Sequence, residues 1–384
     1  MLNVLDLFCG CGGLSEGFHK NNNFQIICAN DIWKDALETY KLNNPNTKTI
    51  LGDISNDDIK KKILDEFQKV SCDIIIGGPP CQSFSMAGKR DKNDPRGKLF
   101  EQYIQLVEKL NPKLCIIENV KGILSMKHYK DNITSNEKKL ITKYEKDIKY
   151  KNVVFQKQMK EIYNKEILTL KEKNIIKKYE DWKNLEKQII PYYENVVDKI
   201  MKQFKKLGYK IEYKVLDSSL YGVSQKRERV IFIASRLDCD IVFPMPTNTI
   251  ENMKTVKEAI DDLKNMDENN EWSHIFSNHC DDVIKKIQNT KIGESMNPKY
   301  NDAFFKCDPN KPSRTVKENH GGVFLHYEKN RVMTPRELAR LQSFDDNFLF
   351  YGTKSSILKQ IGNAVPPKLS ENLAQIILQM FHLL

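Results

Sequence analysis

The chain has 384 residues, 29% of them charged and 40% hydrophobic, which predicts one large α/β domain with a smaller partner, or two domains. Its formal net charge of +10 suits a polyanionic partner such as DNA, RNA or a membrane surface, although codon bias in a lysine-rich chain gives the same excess. No run reaches the roughly 18 apolar residues that a membrane span needs, and the first residues lack the features of a signal peptide. The cysteines form no C-x-x-C pair, which argues against a disulfide or zinc framework. A cytoplasmic protein without bound metal is therefore expected.

Short β-rich apolar runs alternate with helix-compatible segments over the first 120 residues. The runs are Asn3–Phe8, Phe24–Asn30, Thr47–Ile54, Cys72–Gly78 and Lys113–Val120. They lack the apolar–polar alternation of a half-exposed strand, which indicates strands that are covered on both faces. The pattern therefore predicts a doubly wound, parallel sheet.

A lysine-rich segment then interrupts this alternation. From Ile123 to Ile190 the chain contains neither glycine nor proline, and apolar residues recur at spacings of three and four. This spacing predicts helices. We call the lysine-rich segment, residues 127–190, the insertion. Either a solvated helical hairpin or an arm that contacts phosphates is consistent with this composition.

The sheet pattern resumes after the insertion. Two β-rich runs, 209–218 and 227–235, are separated by "LYGVSQK" and predict an antiparallel hairpin at one sheet edge. Over residues 237–330 the composition shifts toward Asn, Asp, Pro and His and the periodicity is weak, which predicts a separate, loop-rich module. The final segment is helical again, so residues 1–236 and 331–384 are expected to form one domain and 237–330 another.

Glycines cluster in "DLFCGCGGLSEGF", which directly follows the first predicted strand. They allow a sharp turn and the close approach of a ligand. Ser15, however, stands where a dinucleotide fingerprint requires its third glycine. Asp31 and Asp53 end the second and third strands, where carboxylates can bind ribose and an adenine amino group. A single nucleoside such as S-adenosylmethionine fits this pattern better than NAD does.

A thiol, a carboxyl group and two guanidinium groups follow the next strands. Cys81 comes after two prolines that restrict the backbone, and is either a nucleophile or an ordinary thiol. Glu118 ends a hydrophobic strand, a costly position unless the carboxylate has a partner. Arg227 and Arg229 begin a later strand, and Glu118 could pair with an arginine for purely structural reasons.

The segments "DLFCGCGG", "GGPPCQSFS", "ENV", "QKRER", "RELARLQSF" and "QIGNAVPP" resemble, in this order, the motifs of cytosine-5 DNA methyltransferases of bacterial restriction–modification or orphan type. The resemblance leaves out the insertion and residues 237–330. It implies a Rossmann-like, S-adenosylmethionine-dependent core with a mostly parallel seven-stranded sheet and an antiparallel edge hairpin. It also implies that residues 237–330 are a small target-recognition domain.

The same resemblance implies site residues and an activity. Cys81 would attack C6 of a flipped cytosine in duplex DNA. Glu118 would contact the N3 and N4 side of the base, and Arg227 would be its partner at the base, with Arg229 beside it. The cofactor, released as S-adenosyl-L-homocysteine, would contact Phe8, Cys11, Gly13, Asp31, Ile32, Asp53, Ile54, Gly78, Pro80, Leu99, Asn363 and Ala364. Residues expected to contact DNA are Gln82, Ser83, Ser85, Lys89, Arg90, Arg314 and Lys317, and the loop 83–100 would close over the flipped base.

Three alternatives make different sequence predictions. The tRNA-methylating branch of the family usually has proline after P-P-C-Q, whereas Ser83 stands here. A catalytically silent DNA-binding relative would have lost Cys81, Glu118 or Arg227, and a NAD oxidoreductase would have a complete fingerprint. Ser224 replaces the proline of the common Y-G-V-P-Q pattern, without loss of a reacting group. A monomer is expected. A restriction endonuclease that acts on the same site is a candidate partner, and the sequence of this chain alone does not determine whether one accompanies it.

Overall fold

The computed structural model describes residues 1–80, 99–130, 134–139, 141–142, 158–159, 162, 169–297, 304–317 and 324–383. The chain divides into two compact units. The first contains Met1–Ser83, Asp91–Ile123 and Met201–Leu384, and the second contains Phe84–Arg90 and Leu124–Ile200. Within the described ranges no helix is both long enough and apolar enough to span a membrane.

Nine strands and eleven α-helices organise the described residues. The strands are β1 (Leu2–Leu7), β2 (Phe24–Asp31), β3 (Lys48–Leu51), β4 (Ile74–Gly77), β5 (Leu114–Val120), β6 (Lys127–Tyr129), β7 (Tyr193–Asn195), β8 (Lys210–Asp217) and β9 (Glu228–Ser235). The helices are α1 (Glu16–His19), α2 (Lys34–Asn43), α3 (Asp57–Glu66), α4 (Leu99–Leu110), α5 (Leu170–Ile189), α6 (Val196–Lys206), α7 (Val256–Ile260), α8 (Asp281–Asn289), α9 (Pro335–Leu341), α10 (Lys354–Asn363) and α11 (Pro367–Met380).

The main sheet has seven described strands in the order β3-β2-β1-β4-β5-β9-β8. Neighbouring strands from β3 to β5 are parallel, whereas β9 pairs antiparallel with both β5 and β8. The strand order changes direction between β1 and β4, and such switch points are where α/β sheets bind ligands. The predicted sheet with its antiparallel edge hairpin is confirmed.

Apolar packing explains why these runs form interior strands. The three isoleucines of β4 are fully buried, as expected for a strand that is covered on both faces. One face of the sheet packs against α11, whose Leu373 and Ile377 join the core cluster that contains Val4. Helix α1 approaches α11 so closely that a Cβ atom on Gly17 would lie 2.3 Å from the backbone of Ser370. The sheet and the C-terminal helix therefore hold the ends of the strands in fixed positions.

Much of the segment 237–330 packs against the C-terminal helices. Val256, Phe305 and Phe324 belong to the same buried cluster as Leu338 of α9 and Ile361 of α10. Residues 201–384 also lie in a single compact unit, the first. The assignment of residues 237–330 as a target-recognition domain rests on the resemblance and stays a prediction.

The second unit contains the described part of the insertion. Helix α5 agrees with the expected helical spacing, and its Lys173 and Lys177 are exposed. The insertion begins differently, because β6 pairs antiparallel with β7. Local spacing could not indicate this strand, since its partner lies much later in the chain.

Asp6 of β1 is a buried carboxylic acid, and only 1% of the residue is exposed. Burial raises the pKa of Asp6 well above its ordinary value, the Ser15 hydroxyl opposes this shift, and the charge of Asp31 adds to it. The folded chain thus retains this proton to a higher pH than the unfolded chain does. Ionisation of Asp6 consequently destabilises the fold as pH rises above the ordinary pKa of about 4.

Asp6→Asn is expected to gain thermal stability relative to the wild type as pH rises, because asparagine has no ionised form to bury. The difference in Tm, variant minus wild type, should increase by about 2 °C or more between pH 5 and pH 8. Differential scanning calorimetry at both pH values measures this difference. Asp57→Asn is the control, since the Asp57 side chain is 94% exposed. A difference for Asp6→Asn that does not change with pH contradicts the prediction.

Candidate active site

The parallel strands bring most of the predicted site residues to one edge of the sheet. Phe8 follows β1, Asp31 ends β2, Asp53 follows β3, Gly78 follows β4 and Glu118 lies near the end of β5. Because parallel strands end on the same side, these residues line one crevice at the carboxyl edge.

Asp31 holds the glycine-rich loop against the end of β2. Its carboxylate accepts hydrogen bonds from the Gly10 N–H and the Trp33 N–H, both at 2.8 Å. Burial raises the pKa of Asp31, while the N–H groups of Trp33 and Gly10 oppose that shift. Phe8 has a φ of +56° and Gly10 has a φ of +54°, so the loop turns sharply next to this carboxylate.

Two apolar residues beside the acidic side chains have opposite environments. Ile32, next to Asp31, is 69% exposed, whereas Ile54, next to Asp53, is buried. The Asp53 carboxylate accepts a hydrogen bond from the Ser55 N–H at 2.8 Å, which orients it at the start of the turn after β3. This edge of the sheet therefore offers one exposed apolar side chain, Ile32, and two oriented carboxylates.

The glycine-rich loop packs directly on the chain that follows α10. A Cβ atom on Gly13 would lie 2.3 Å from the Val365 carbonyl oxygen and 3.0 Å from the Ala364 Cβ. Gly13 thus permits close packing, and Cys11 in the same loop is buried. This packing brings Ala364 next to the loop, while Asn363 is exposed.

The remaining cofactor residues predicted from the sequence lie after β4. Pro80 is partly buried, and Leu99 is the buried first residue of α4. Cys81, Gln82, Ser83, Ser85, Lys89 and Arg90 lie outside the described residues.

Glu118 forms an ion pair with Arg229. The Arg229 Nε lies 2.8 Å from Glu118 Oε1, and both side chains are nearly buried, at 11% and 12% exposed. A Cβ atom on Gly78 would lie 3.1 Å from the second carboxylate oxygen of Glu118. The carboxylate is therefore held between β9 and the end of β4.

Of the two arginines in "QKRER", it is Arg229 and not Arg227 that forms the ion pair with Glu118. Arg229 lies within β9, opposite Val120 of β5, so its side chain reaches the neighbouring strand. Arg227 precedes β9 and donates instead to the carbonyl groups of Val316 and Gly362, each at 2.9 Å. Burial, and to a lesser extent the charge of Arg229, lower the pKa of Arg227 to about 9, while the charge of Glu118 opposes this shift. The guanidinium therefore remains charged at neutral pH.

Asn119 is a functional candidate that the sequence analysis did not single out. Its side-chain amide donates to the Pro79 carbonyl at 2.9 Å, and its Oδ1 accepts from the Val120 N–H at 2.9 Å. Asn119 therefore fixes the chain two residues before Cys81. The signal was available in the "ENV" motif, because a second polar residue in a buried strand needs a partner.

The predicted DNA contacts within residues 304–317 lie around a cavity of about 270 Å³. Arg314, Thr315, Lys317 and Phe324 line this cavity. The Arg314 guanidinium lies 3.8 Å from the centre of the Phe305 ring, a cation–π contact that orients it. The cavity thus has an open, cationic lining.

The sheet order, the glycine loop after β1 and the polar residues at the strand ends define a protein of the Rossmann-like methyltransferase class. The model of the family described as C-5 cytosine-specific DNA methylase matches residues 2–156 and 183–379. The chain belongs to this family, and its activity is the methylation of cytosine at C5 in DNA. Residues 157–182 of the insertion lie outside the match.

Curated relatives are similar over nearly the whole chain. The Type II methyltransferase M1.HphI of Haemophilus parahaemolyticus is 32% identical over 397 residues, which cover 99% of this chain and 87% of the relative. The Type II methyltransferase M.DdeI of Desulfomicrobium norvegicum is 30% identical and covers 97% of this chain and 88% of its own. The predicted DNA methylation activity of restriction–modification type is confirmed.

Solved structures share the fold at lower identity. A crystal structure described as a prophage-encoded DNA modification methyltransferase of E. coli has a TM-score of 0.68 at 24% identity and covers all of both chains. The S. pombe Dnmt2 methyltransferase has a TM-score of 0.63 at 18% identity and covers 99% of both chains. These likenesses support the methyltransferase fold.

Proposed function

We propose that this methylase uses S-adenosylmethionine and acts on a flipped cytosine in a specific duplex site through a covalent bond between Cys81 and C6. The observation that carries the proposal is the Glu118–Arg229 ion pair, 2.8 Å long, at the carboxyl edge of β5. Cys81 follows neighbouring β4, which ends at the same edge. A carboxyl group and a thiol at adjacent strand ends are what a reaction at N3 and C6 of one pyrimidine requires.

The crevice at β1, β2 and β3 fits the nucleoside part of S-adenosylmethionine. Ile32 offers a 69% exposed apolar surface for adenine beside the Asp31 carboxylate. At Gly10, no described heavy atom lies within 4 Å of where a Cβ would be, so the backbone is open to a ligand. The full proposed set is Phe8, Cys11, Gly13, Asp31, Ile32, Asp53, Ile54, Gly78, Pro80, Leu99, Asn363 and Ala364. When bound, this cofactor supplies an electrophilic methyl group and leaves as S-adenosyl-L-homocysteine.

The residues of the chain would make cytosine C5 reactive. The Cys81 thiolate forms a bond to C6, which moves the C5–C6 electron pair onto C5. Glu118, oriented by Arg229, stabilises the charge that develops at N3 by donating a proton or hydrogen bond. As C5 is methylated, the proton at N3 returns to Glu118. A base then removes the C5 proton, the C5–C6 double bond forms again and the C6–S bond breaks, which regenerates the thiolate.

Reaction at C5 and C6 requires the base to leave the duplex stack, at a cost of a few kcal/mol. We assign phosphate and base contacts to the segment after Cys81 and to the cavity in residues 304–317, with 237–330 as the target-recognition domain. The proposed contacts are Gln82, Ser83, Ser85, Lys89, Arg90, Arg314 and Lys317. A cytoplasmic monomer that protects DNA from an endonuclease of the same specificity completes the proposal.

Bisulfite sequencing of DNA from cells that express the protein tests the proposed target. Cytosines in one short sequence should resist conversion. In cells that carry the empty vector, the same cytosines should all be converted. Retained wild-type protection by a Cys81→Ala variant would contradict the covalent mechanism.

Gly78→Ala is expected to lower kcat about tenfold, because its Cβ would lie 3.1 Å from the Glu118 carboxylate and displace it. Thermal stability should change little, since the displaced group lies at the crevice. Gly122→Ala is a matched control, because its Cβ would meet only Val120 Cγ2, at 3.8 Å. Methyl transfer from radiolabelled cofactor measures both variants. Equal rates for the two variants would contradict the prediction.

A further inference from the structure

The main chain of Val316 is held by side chains from the "QKRER" segment. The Val316 N–H donates to Gln225 Oε1 at 2.9 Å, and the Val316 carbonyl accepts from Arg227 at 2.9 Å. Both polar groups of this residue are thus satisfied by the segment that leads into β9. Val316 lies between Thr315 and Lys317, which line the cationic cavity.

A chain of buried amides continues from Gln225 to helix α10. Gln225 Nε2 donates to Gln342 Oε1 at 2.9 Å, and Gln342 Nε2 donates to the Ile361 carbonyl at 2.6 Å. The orientation of the two side-chain amides is determined by the groups at the two ends of this hydrogen-bond series, because Val316 donates through its N–H and Ile361 accepts through its carbonyl. Both glutamines are fully buried, so each lost hydrogen bond leaves an unsatisfied partner.

Arg227 forms a second bridge parallel to the amide chain. Its guanidinium joins the Val316 carbonyl to the Gly362 carbonyl, each at 2.9 Å. The two bridges therefore connect one residue of the 313–317 segment to consecutive carbonyl groups at the end of α10. Asn363 and Ala364, which we assign to the cofactor, follow directly.

Main-chain contacts secure the same segment along its length. Ser313 N–H donates to the Ser224 carbonyl and Lys226 N–H donates to the Ser313 carbonyl, both at 2.9 Å. The Thr315 hydroxyl donates to the Lys226 carbonyl at 2.8 Å. Serine in place of proline at 224 preserves the first contact, which uses only the carbonyl of residue 224. The position of 313–317 is therefore set by residues 224–227.

We propose that Gln225 and Gln342 are positioning residues for target selectivity. They fix the segment 313–317, with Arg314 and Lys317, relative to the Glu118–Arg229 pair, and they act through Val316 and not through contact with DNA. The inference rests on the proposed function, since it takes 313–317 as part of the DNA-reading surface. Loss of the amide chain should displace that surface while leaving the reacting groups in place.

The test uses Gln225→Met and Gln342→Met in the full chain, since methionine preserves length and removes the amide. The target is first determined for the wild type by bisulfite sequencing, so a failed proposed function shows as absent methylation before any variant is compared. For each variant, kcat and KM are then measured on duplexes with the target and with one altered base pair. We expect the kcat/KM on the target, divided by the kcat/KM on the altered duplex, to fall about tenfold. The KM for the target should rise, while kcat on the target stays within about threefold of wild type.

The double variant should match the single variants, because both glutamines belong to one chain. Gln360→Met is the control. Gln360 is also buried, but its side chain forms hydrogen bonds with Thr39 and Tyr351 and does not take part in the hydrogen-bond series that holds Val316. It should lower Tm without changing selectivity. Unchanged discrimination in Gln225→Met and Gln342→Met, or an equal loss in Gln360→Met, overturns the inference. If one glutamine variant fails to fold, the other decides the outcome.

Discussion

Cys81→Ser is expected to lower methyl transfer to duplex DNA by about 10⁴-fold or more while S-adenosylmethionine binding is retained. A serine hydroxyl is far less ionised than a thiol at neutral pH and adds poorly to C6, so C5 is not activated. Radiolabelled methyl transfer measures the loss, and isothermal titration calorimetry measures cofactor binding. The proposed cofactor contacts lie at the ends of β1 to β4, at the start of α4 and at the end of α10, and they do not use the thiol.

Cys280→Ser is the matched control, because Cys280 is a free, exposed cysteine that lies outside the proposed site. It should retain wild-type turnover. A duplex with 5-fluorocytosine at the target gives a second readout, since fluorine cannot be removed as a proton and the adduct should persist. The wild type should shift on a denaturing gel and Cys81→Ser should not. Wild-type turnover in Cys81→Ser would refute the mechanism.

Glu118→Gln is the second large expected effect, a loss of about 10³-fold in kcat. Glutamine retains the shape and can still accept a hydrogen bond from Arg229, which lies 2.8 Å from Glu118. It cannot donate a carboxylic proton to N3, so the charge that develops on the base loses its stabilisation. Single-turnover methyl transfer separates this effect from product release.

Glu228→Gln tests whether any lost ion pair near β9 has the same consequence. Glu228 pairs with Lys121 at 2.8 Å, but its side chain is 48% exposed, and such surface pairs contribute little. Its kcat should stay within about twofold of wild type. Equal effects of Glu118→Gln and Glu228→Gln would mean that Glu118 has no specific role.

The sheet could be predicted because its strands are encoded locally. Residues 74–77, for example, contain no polar side chain, and such a run indicates a buried parallel strand without information from distant residues. The pair β6 and β7 could not be predicted, because neither three-residue strand has a periodic pattern of its own. The same limit applies to which face of 237–330 packs against α9.

Motif order and local apolar runs in the amino-acid sequence are sufficient to predict the family, the parallel sheet and the strand ends that carry Asp31, Asp53 and Glu118. The contact of Glu118 with Arg229, and not with Arg227, depends on the packing of the strands, because strand register places Arg229 opposite β5. The same is true of Arg227, which joins the carbonyl groups of Val316 and Gly362 although these are far apart in the chain. Buried hydrogen-bond partners are chosen by the packing that removes water, and no local pattern records that choice.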